Sequence, residues 1–171
     1  MKKVLIVAGD GVEAQEIFYP YYRLKEEFER YIDHPWGEGF STLKALWVIG
    51  TYLFFLFDSY PYLYLHGVKR TGKTKTLKLL SAVCFNARLS PDLTAASLFR
   101  LAHILRATML LDERDKDLSS QYMSTLRKVL LQGYKKGGKV QRVEQDGNGG
   151  FIVKEFDVYC PKALAGIEAV S

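Results

Sequence analysis

The chain has 171 residues, of which 48% are hydrophobic and 25% charged, proportions typical of a soluble globular domain. A chain of this length can bury a core without disulfides or metal staples. Its two cysteines, Cys84 and Cys160, each lie in an apolar run with no partner nearby, which predicts buried, reduced thiols. The formal net charge of +5 is modest, so the placement of the basic residues matters more than their number.

Neither a secretory signal nor a membrane span is predicted. Lys2 and Lys3 precede a short apolar run, but Asp10 and Glu13 follow it with no small-residue cleavage site. The longest apolar stretch without a charge, residues 45–57, is too short because about 20 residues are needed to cross a bilayer. We therefore expect a cytoplasmic protein without membrane contact.

The first 61 residues predict an appendage and a linker. Residues 2–8 form an apolar run typical of a buried strand, and residues 12–30 show helical spacing that is interrupted at Pro20. Residues 33–40, with one proline and two glycines, are the best linker in the chain. An aromatic-rich helix is expected over residues 41–57. The expected divisions are a strand–helix segment (1–30), a linker with the aromatic-rich helix (31–61) and a main domain (62–171).

Strands and helices alternate after residue 61, which predicts an α/β layered fold. The expected elements are a strand over 62–66, a helix over 73–85, a helix capped by residues 90–92 and running to about 105, a strand over 108–111, a helix over 118–132 that stops at Gly133, a hairpin formed by 139–144 and 151–158, and a strand beginning at Leu164.

A phosphate-binding loop follows the strand at 62–66. The sequence there reads Gly67, Val68, Lys69, Arg70, Thr71, Gly72, Lys73 and Thr74, which matches G-x-x-x-x-G-K-[ST] in full. Glycines at both ends permit the backbone angles with which successive N–H groups face phosphates. Lys73 would reach the β- and γ-phosphates and act in catalysis, and the Thr74 hydroxyl would ligate Mg²⁺. The helix that follows adds its positive N-terminal end.

Two adjacent carboxylates, Asp112 and Glu113, end the strand predicted over 108–111. Asp112 is expected to hold Mg²⁺. Glu113 points to the other side of an extended chain and is expected to act as general base toward the attacking water. The stretch from residue 127 to 142 carries six basic residues and no acid, which suits a nucleic-acid backbone, although a solvated helix end and loop would have the same pattern. Its basic members are Arg127, Lys128, Lys135, Lys136, Lys139 and Arg142.

From about residue 62 to 168 the chain resembles AAA-like P-loop ATPases of the primase- and helicase-associated type found in plasmids, phages and archaeal elements. The segments that carry this resemblance are HGVKRTGKTKTLKLL (66–80), SPDLTAASLFRL (90–101), TMLLDE (108–113), LLQGYKKGGKVQRV (130–143) and FDVYCPKALAGI (156–167). The resemblance implies a three-layer P-loop NTPase sheet flanked by helices, with the N-terminal strand–helix appendage and the C-terminal β-hairpin added. It also implies ATP and Mg²⁺ as cofactors, hydrolysis coupled to DNA or RNA work, and a homo-oligomer.

The chain departs from that family in two respects. Such ATPases continue into a segment with an arginine finger and a helical lid, whereas this sequence ends at Ser171, so the domain is expected to be truncated without a lid. Lys162 and Ala163 stand where a polar sensor residue is expected, and no sensor is assigned. Nucleotide binding is therefore better supported than turnover.

Residues 2–27 resemble the opening of the PfpI intracellular protease and glyoxalase superfamily, with Glu13 matching that family's acid. The nucleophilic cysteine of that family precedes a histidine, whereas Cys84 is followed by Phe85. We therefore expect a fused strand–helix fragment.

The main expectation is ATP–Mg²⁺ binding with hydrolysis, coupled to DNA. The alternatives are a non-catalytic nucleotide-binding or assembly module and, second, a PfpI-type hydrolase or glyoxalase. The three histidines, His34, His66 and His103, are scattered, so no metal site other than nucleotide-bound Mg²⁺ is expected.

Overall fold

The structure is a computed structural model that describes residues 14–32, 39–68, 70–89, 94–112, 120–145, 147 and 149–166. The chain divides into two compact units, Met1–Gly50 and Thr51–Ser171. The predicted strand at 2–8 lies outside the described residues, as does most of the predicted linker. Glu13, on which the PfpI resemblance depends, also lies outside them. No helix in the described part of the chain combines the length and apolar character needed to cross a membrane.

The first unit contains helix α1 (Ala14–Tyr31) and helix α2 (Gly39–Thr51), whose last residue belongs to the second unit. The predicted interruption at Pro20 is wrong, because α1 continues through it. A proline in a helix removes one backbone hydrogen bond, and the remaining turns hold the helix. Phe28 is fully buried, and the Ser41 hydroxyl donates to Glu29 Oε1 at 2.7 Å. A hydrogen bond between side chains thus joins α2 to α1.

Helix α2 ends six residues earlier than predicted, and a 3₁₀ turn (Phe54–Leu56) follows it. Tertiary partners hold the backbone in this non-helical path. The Phe85 N–H donates to Thr51 Oγ1 at 3.0 Å, and the buried Tyr159 hydroxyl lies 2.8 Å from the carbonyl oxygens of Phe54 and Phe57. A strongly apolar sequence therefore stops being helical because distant residues take its hydrogen bonds.

The second unit has an α/β fold, as predicted. Its elements are β1 (Leu63–Leu65), α3 (Lys73–Val83), β2 (Arg88–Leu89), α4 (Ala95–Leu105), β3 (Met109–Asp112), α5 (Ser120–Gly133), β4 (Lys139–Gln145), β5 (Phe151–Asp157) and β6 (Lys162–Ala165). Four strands form a parallel sheet in the order β1-β6-β3-β2, and β4 and β5 form a separate antiparallel hairpin. Strand β2, of only two residues, was not predicted.

The core lies around the two central strands. In β3 the side chains of Met109, Leu110 and Leu111 are buried, as a parallel strand between helices requires. All four residues of β6 are buried, including the charged Lys162. Strand β6 begins two residues before the predicted start at Leu164. A charged residue such as Lys162 is not expected in a buried strand, so the sequence pattern did not indicate this start. The residue is buried here because three backbone carbonyl oxygens accept hydrogen bonds from its ammonium.

Helix α4 begins at a different cap from the one predicted. Thr94 Oγ1 accepts from the Ser97 N–H at 3.1 Å, and Ser97 Oγ accepts from the Thr94 N–H at 2.9 Å, which makes a reciprocal capping box. The predicted cap at residues 90–92 lies outside the described residues. The helix ends at Leu105, as expected.

The predicted hairpin is confirmed, and it packs on α4 and α5. Its inner face buries Val140 and Phe156, and the Phe156 ring meets Phe99 of α4 edge-on at 4.6 Å. Ion pairs surround this contact, with Arg106 2.8 Å from Asp157. Two further pairs join Glu144 to Arg100 and to Lys154.

Candidate functional site

The loop between β1 and α3 adopts backbone angles that favour glycine at both ends. Gly67 has a φ of +154°, and a Cβ there would lie 3.0 Å from Thr71 Oγ1. Gly72 has a φ of +82° and stands at the N-cap of α3. Arg70, also at positive φ (+68°), adopts a conformation that is uncommon outside glycine. The loop therefore makes the tight turn that its two glycines predicted.

Lys73 bends back into this loop. Its ammonium donates to the carbonyl oxygens of Gly67 at 2.6 Å and Val68 at 2.8 Å. Thr71 Oγ1 also donates to the Val68 carbonyl, at 2.9 Å, and so closes the loop on itself. The ammonium thus lies at the centre of the loop, on the first residue of α3.

Asp112 and Thr74 meet at the same edge of the sheet. The Thr74 hydroxyl donates to Asp112 Oδ2 at 2.8 Å, although the two residues are 38 positions apart in the chain. Sheet register explains the meeting, because Leu65 of β1 and Asp112 of β3 are both paired with Ala165 of the strand between them. The carboxyl ends of parallel strands meet at one edge, which is where ligands bind in open α/β sheets.

The charged and polar groups at this edge of the sheet favour the binding of an anion together with a cation. The first helical turn of α3 carries no acidic residue, and no side chain caps its N-terminus. Its leading N–H groups have no partner within the helix, and the helix dipole adds partial positive charge at the same place. Lys73 adds a full charge. Asp112 and Thr74 place two oxygen ligands side by side, the kind that Mg²⁺ prefers.

The structure brings most of the predicted site residues together. Glycines 67 and 72, Lys73, Thr74 and Asp112 lie at one site, whereas Lys69 and Glu113 lie outside the described residues. Lys162, considered for the sensor position, begins β6 in register with Met109. The β6 residue beside Asp112 is instead Ala165, which has no polar side chain.

The predicted basic stretch does not form one free surface. Lys139 pairs with Glu155 at 2.6 Å, which raises the pKa of the lysine. Arg142 donates to Thr125 Oγ1 at 2.7 Å and lies over the Phe99 ring. The other four members of the stretch are exposed at the surface: Arg127, Lys128, Lys135 and Lys136. Of these, Lys136 donates to a backbone carbonyl at 3.2 Å.

Both cysteines are free and buried, as predicted. Burial raises the pKa of the Cys84 thiol to about 12, against a smaller lowering by its hydrogen bond with Thr51. Burial also raises the pKa of Cys160. A protonated, buried thiol is a poor nucleophile, which argues against hydrolase or glyoxalase chemistry at Cys84.

Two aromatic rings lie beside the loop, on Tyr64 and on His66, which directly precedes Gly67. The two rings stack, with centroids 5.9 Å apart and an interplanar angle of 22°. Side chains alternate between the two faces of a strand, so the sequence could have indicated that residues 64 and 66 lie on the same face.

The chain matches no model of a known protein family, and no curated protein is significantly similar to it in sequence. The geometry and chemistry of this site are therefore the observations that bear on its function.

Proposed function

We propose that the chain binds the nucleoside triphosphate ATP together with Mg²⁺ and hydrolyses it. We propose further that this hydrolysis is coupled to a process on DNA. One observation carries this proposal: the Lys73 ammonium lies within the glycine loop while Thr74 bonds to the strand-end Asp112. Loop amides, a lysine and a helix N-terminus suit a polyphosphate, and the hydroxyl–carboxylate pair suits its metal ion. A P-loop NTPase fold of the AAA-like type belongs to the same proposal, and the order β1-β6-β3-β2 is compatible with it.

In this proposal each residue has one task. The loop amides bind the phosphate oxygens, and Lys73 exchanges its contacts with the Gly67 and Val68 carbonyls for the terminal phosphates. Thr74 and Asp112 would hold Mg²⁺, which when bound neutralises charge on those phosphates. Glu113, next in the chain, takes the proton of a water whose oxygen attacks the γ-phosphorus, and the bond to the bridging oxygen breaks to leave ADP and phosphate.

A DNA partner is proposed from the family resemblance and from the four exposed cations at 127, 128, 135 and 136. Lysine and arginine side chains bind phosphate backbones by charge, so this contact should weaken as salt is raised. Assembly into a homo-oligomer is proposed on the resemblance alone.

Equilibrium binding of ATP with and without Mg²⁺ tests the nucleotide site. Lys73→Ala should weaken binding by about 10- to 100-fold, because a charge-assisted contact to the phosphates is lost. Lys75→Ala is the matched control, since Lys75 is an exposed lysine in the same helical turn. Equal affinities of the Lys73→Ala and Lys75→Ala variants would exclude the phosphate loop as the binding site.

Turnover is tested separately, by phosphate release with and without single-stranded DNA. Glu113→Gln should abolish release while ATP still binds, because the amide cannot accept a proton. If the wild-type chain binds ATP but releases no phosphate under either condition, the non-catalytic binding module replaces the ATPase.

A further inference from the structure

Two aromatic rings stand beside the phosphate loop with no role in the chemistry above. Tyr64 is 40% exposed and His66 is also exposed, and their rings are nearly parallel. Strand β1, which carries Tyr64, is at the edge of the four-stranded sheet. Among the residues that the structure describes, the two rings therefore make a short stack open to water.

Covalent geometry places this stack within reach of a bound nucleotide. His66 directly precedes Gly67, whose carbonyl oxygen is 2.6 Å from the Lys73 ammonium. Because three residues of fully extended chain span at most about 11 Å, the Cα of Tyr64 lies within about 11 Å of that of Gly67. A ribose and its nearest phosphates span such a distance. A nucleotide whose terminal phosphates meet Lys73 can thus bring its base to the rings.

We propose that Tyr64 and His66 form a stacking platform for the base of the bound nucleotide. This inference rests on the proposed phosphate site, which fixes the other end of the ligand. The base extends the existing pair into a third layer, and stacking on aromatic side chains holds it through its flat face. Stacking strength follows ring area, so the platform favours purine over pyrimidine nucleoside triphosphates and discriminates weakly between ATP and GTP.

The test uses the whole chain and compares its affinity for ligands that have a base with its affinity for a ligand that has none. Binding of Mg²⁺ complexes of ATP, GTP, UTP and inorganic tripolyphosphate is measured for the wild type, Tyr64→Ala and His66→Ala. Tyr134→Ala is the matched control, because Tyr134 is 47% exposed and follows directly after α5 in the chain. Tyr64→Phe keeps the ring and guards against an effect on folding.

We expect Tyr64→Ala and His66→Ala each to weaken ATP and GTP binding by roughly 5- to 20-fold. Tripolyphosphate binding should stay unchanged in every variant, and Tyr64→Phe and Tyr134→Ala should bind ATP like the wild type. A second readout is the fluorescence of 2-aminopurine riboside triphosphate, which stacking quenches in the wild type and less in Tyr64→Ala.

Three outcomes would overturn the platform. Equal wild-type affinity for ATP and tripolyphosphate would reject it while leaving the phosphate site in place. Unchanged ATP affinity in both alanine variants would do the same. If the wild type bound neither ATP nor tripolyphosphate, the proposed function would fail and the platform with it.

Discussion

The Lys162 side chain is fully buried, yet each hydrogen of its ammonium has an acceptor. The carbonyl oxygens of Val158, Cys160 and Gly133 lie 2.8, 3.0 and 3.1 Å from Nζ, and the ammonium is 5.1 Å from the Tyr62 ring centroid. Burial lowers the pKa of this lysine, while its polar contacts act in the opposite direction. Lys162 therefore joins the end of α5 and the β5–β6 connection to the central strand β6.

This arrangement predicts that Gly133 cannot carry a side chain. A Cβ there would lie 2.5 Å from both Lys162 Nζ and the Val158 carbonyl oxygen. We expect Gly133→Ala to lower the free energy of unfolding by about 1–3 kcal/mol, as overpacking does. Gly147→Ala is the control, because a Cβ at that position meets nothing within 4 Å. Urea unfolding measures the stability of both variants. Equal stabilities would show that the residues around Gly133 and Lys162 accommodate the added methyl group without cost.

At the scale of elements, the β4–β5 hairpin packs the apolar side chains of its inner face against the helices. Phe156 is 7% exposed against Phe99, whereas Phe151 of the same strand is 73% exposed. We expect Phe156→Ala to cost about 3 kcal/mol of unfolding free energy, because a buried ring leaves a cavity. Phe151→Ala should change stability by less than about 0.5 kcal/mol. Chemical denaturation of both variants tests this, and a Phe151→Ala cost as large as that of Phe156→Ala would contradict the attachment.

Within the first unit, Lys44 of α2 makes helix packing dependent on pH. Burial lowers the pKa of its ammonium, which lies 5.8 Å from the Phe28 ring centroid, to about 8. In the unfolded chain the pKa is about 10.4. Between these values the unfolded chain binds more protons than the folded one, so this lysine makes stability rise as pH increases from about 8 to about 10.4.

Thermal or urea unfolding across that pH range tests the effect, as the difference in stability between the wild type and a variant without this ammonium. Stability of the wild type relative to Lys44→Met should rise with pH from 8 to 10.4 and stay constant below pH 7. Lys75→Met, which replaces an exposed lysine, should track the wild type throughout. A flat difference between the wild type and Lys44→Met would mean that the Lys44 pKa is the same in both states.

At the scale of the whole molecule, the proposed ligand should stabilise the unit that holds its site. A ligand that binds only the folded state at 100 times its Kd adds about 2.7 kcal/mol. We expect saturating Mg²⁺–ATP to raise the apparent Tm of the transition of residues 51–171 by about 5–10 °C. At the same ATP concentration the shift should fall to about half or less in Lys73→Ala and persist in full in Lys75→Ala. Differential scanning calorimetry checks this, and an equal shift in both variants would place the ligand elsewhere.

Much of the α/β unit follows from local sequence. The alternation of apolar strands with amphipathic helices predicted β1, α3, α4, β3, α5 and the hairpin, because each pattern repeats with the period of its own element. The glycines at the two ends of the β1–α3 loop were also local signals, since positions 67 and 72 both adopt positive φ. Turn and strand preferences act over a few residues, and a single chain displays them directly.

The tertiary structure decided what depends on distant partners. Only the register of β1 and β3 on β6 brings Thr74 to Asp112, and no local pattern carries that order. The early end of α2 and the buried start of β6 have the same origin, because Tyr159 and Lys162 find their acceptors far along the chain or inside the fold. Local propensity therefore determined the elements and the loop, whereas long-range hydrogen bonds and strand order determined where the elements end and which side chains meet.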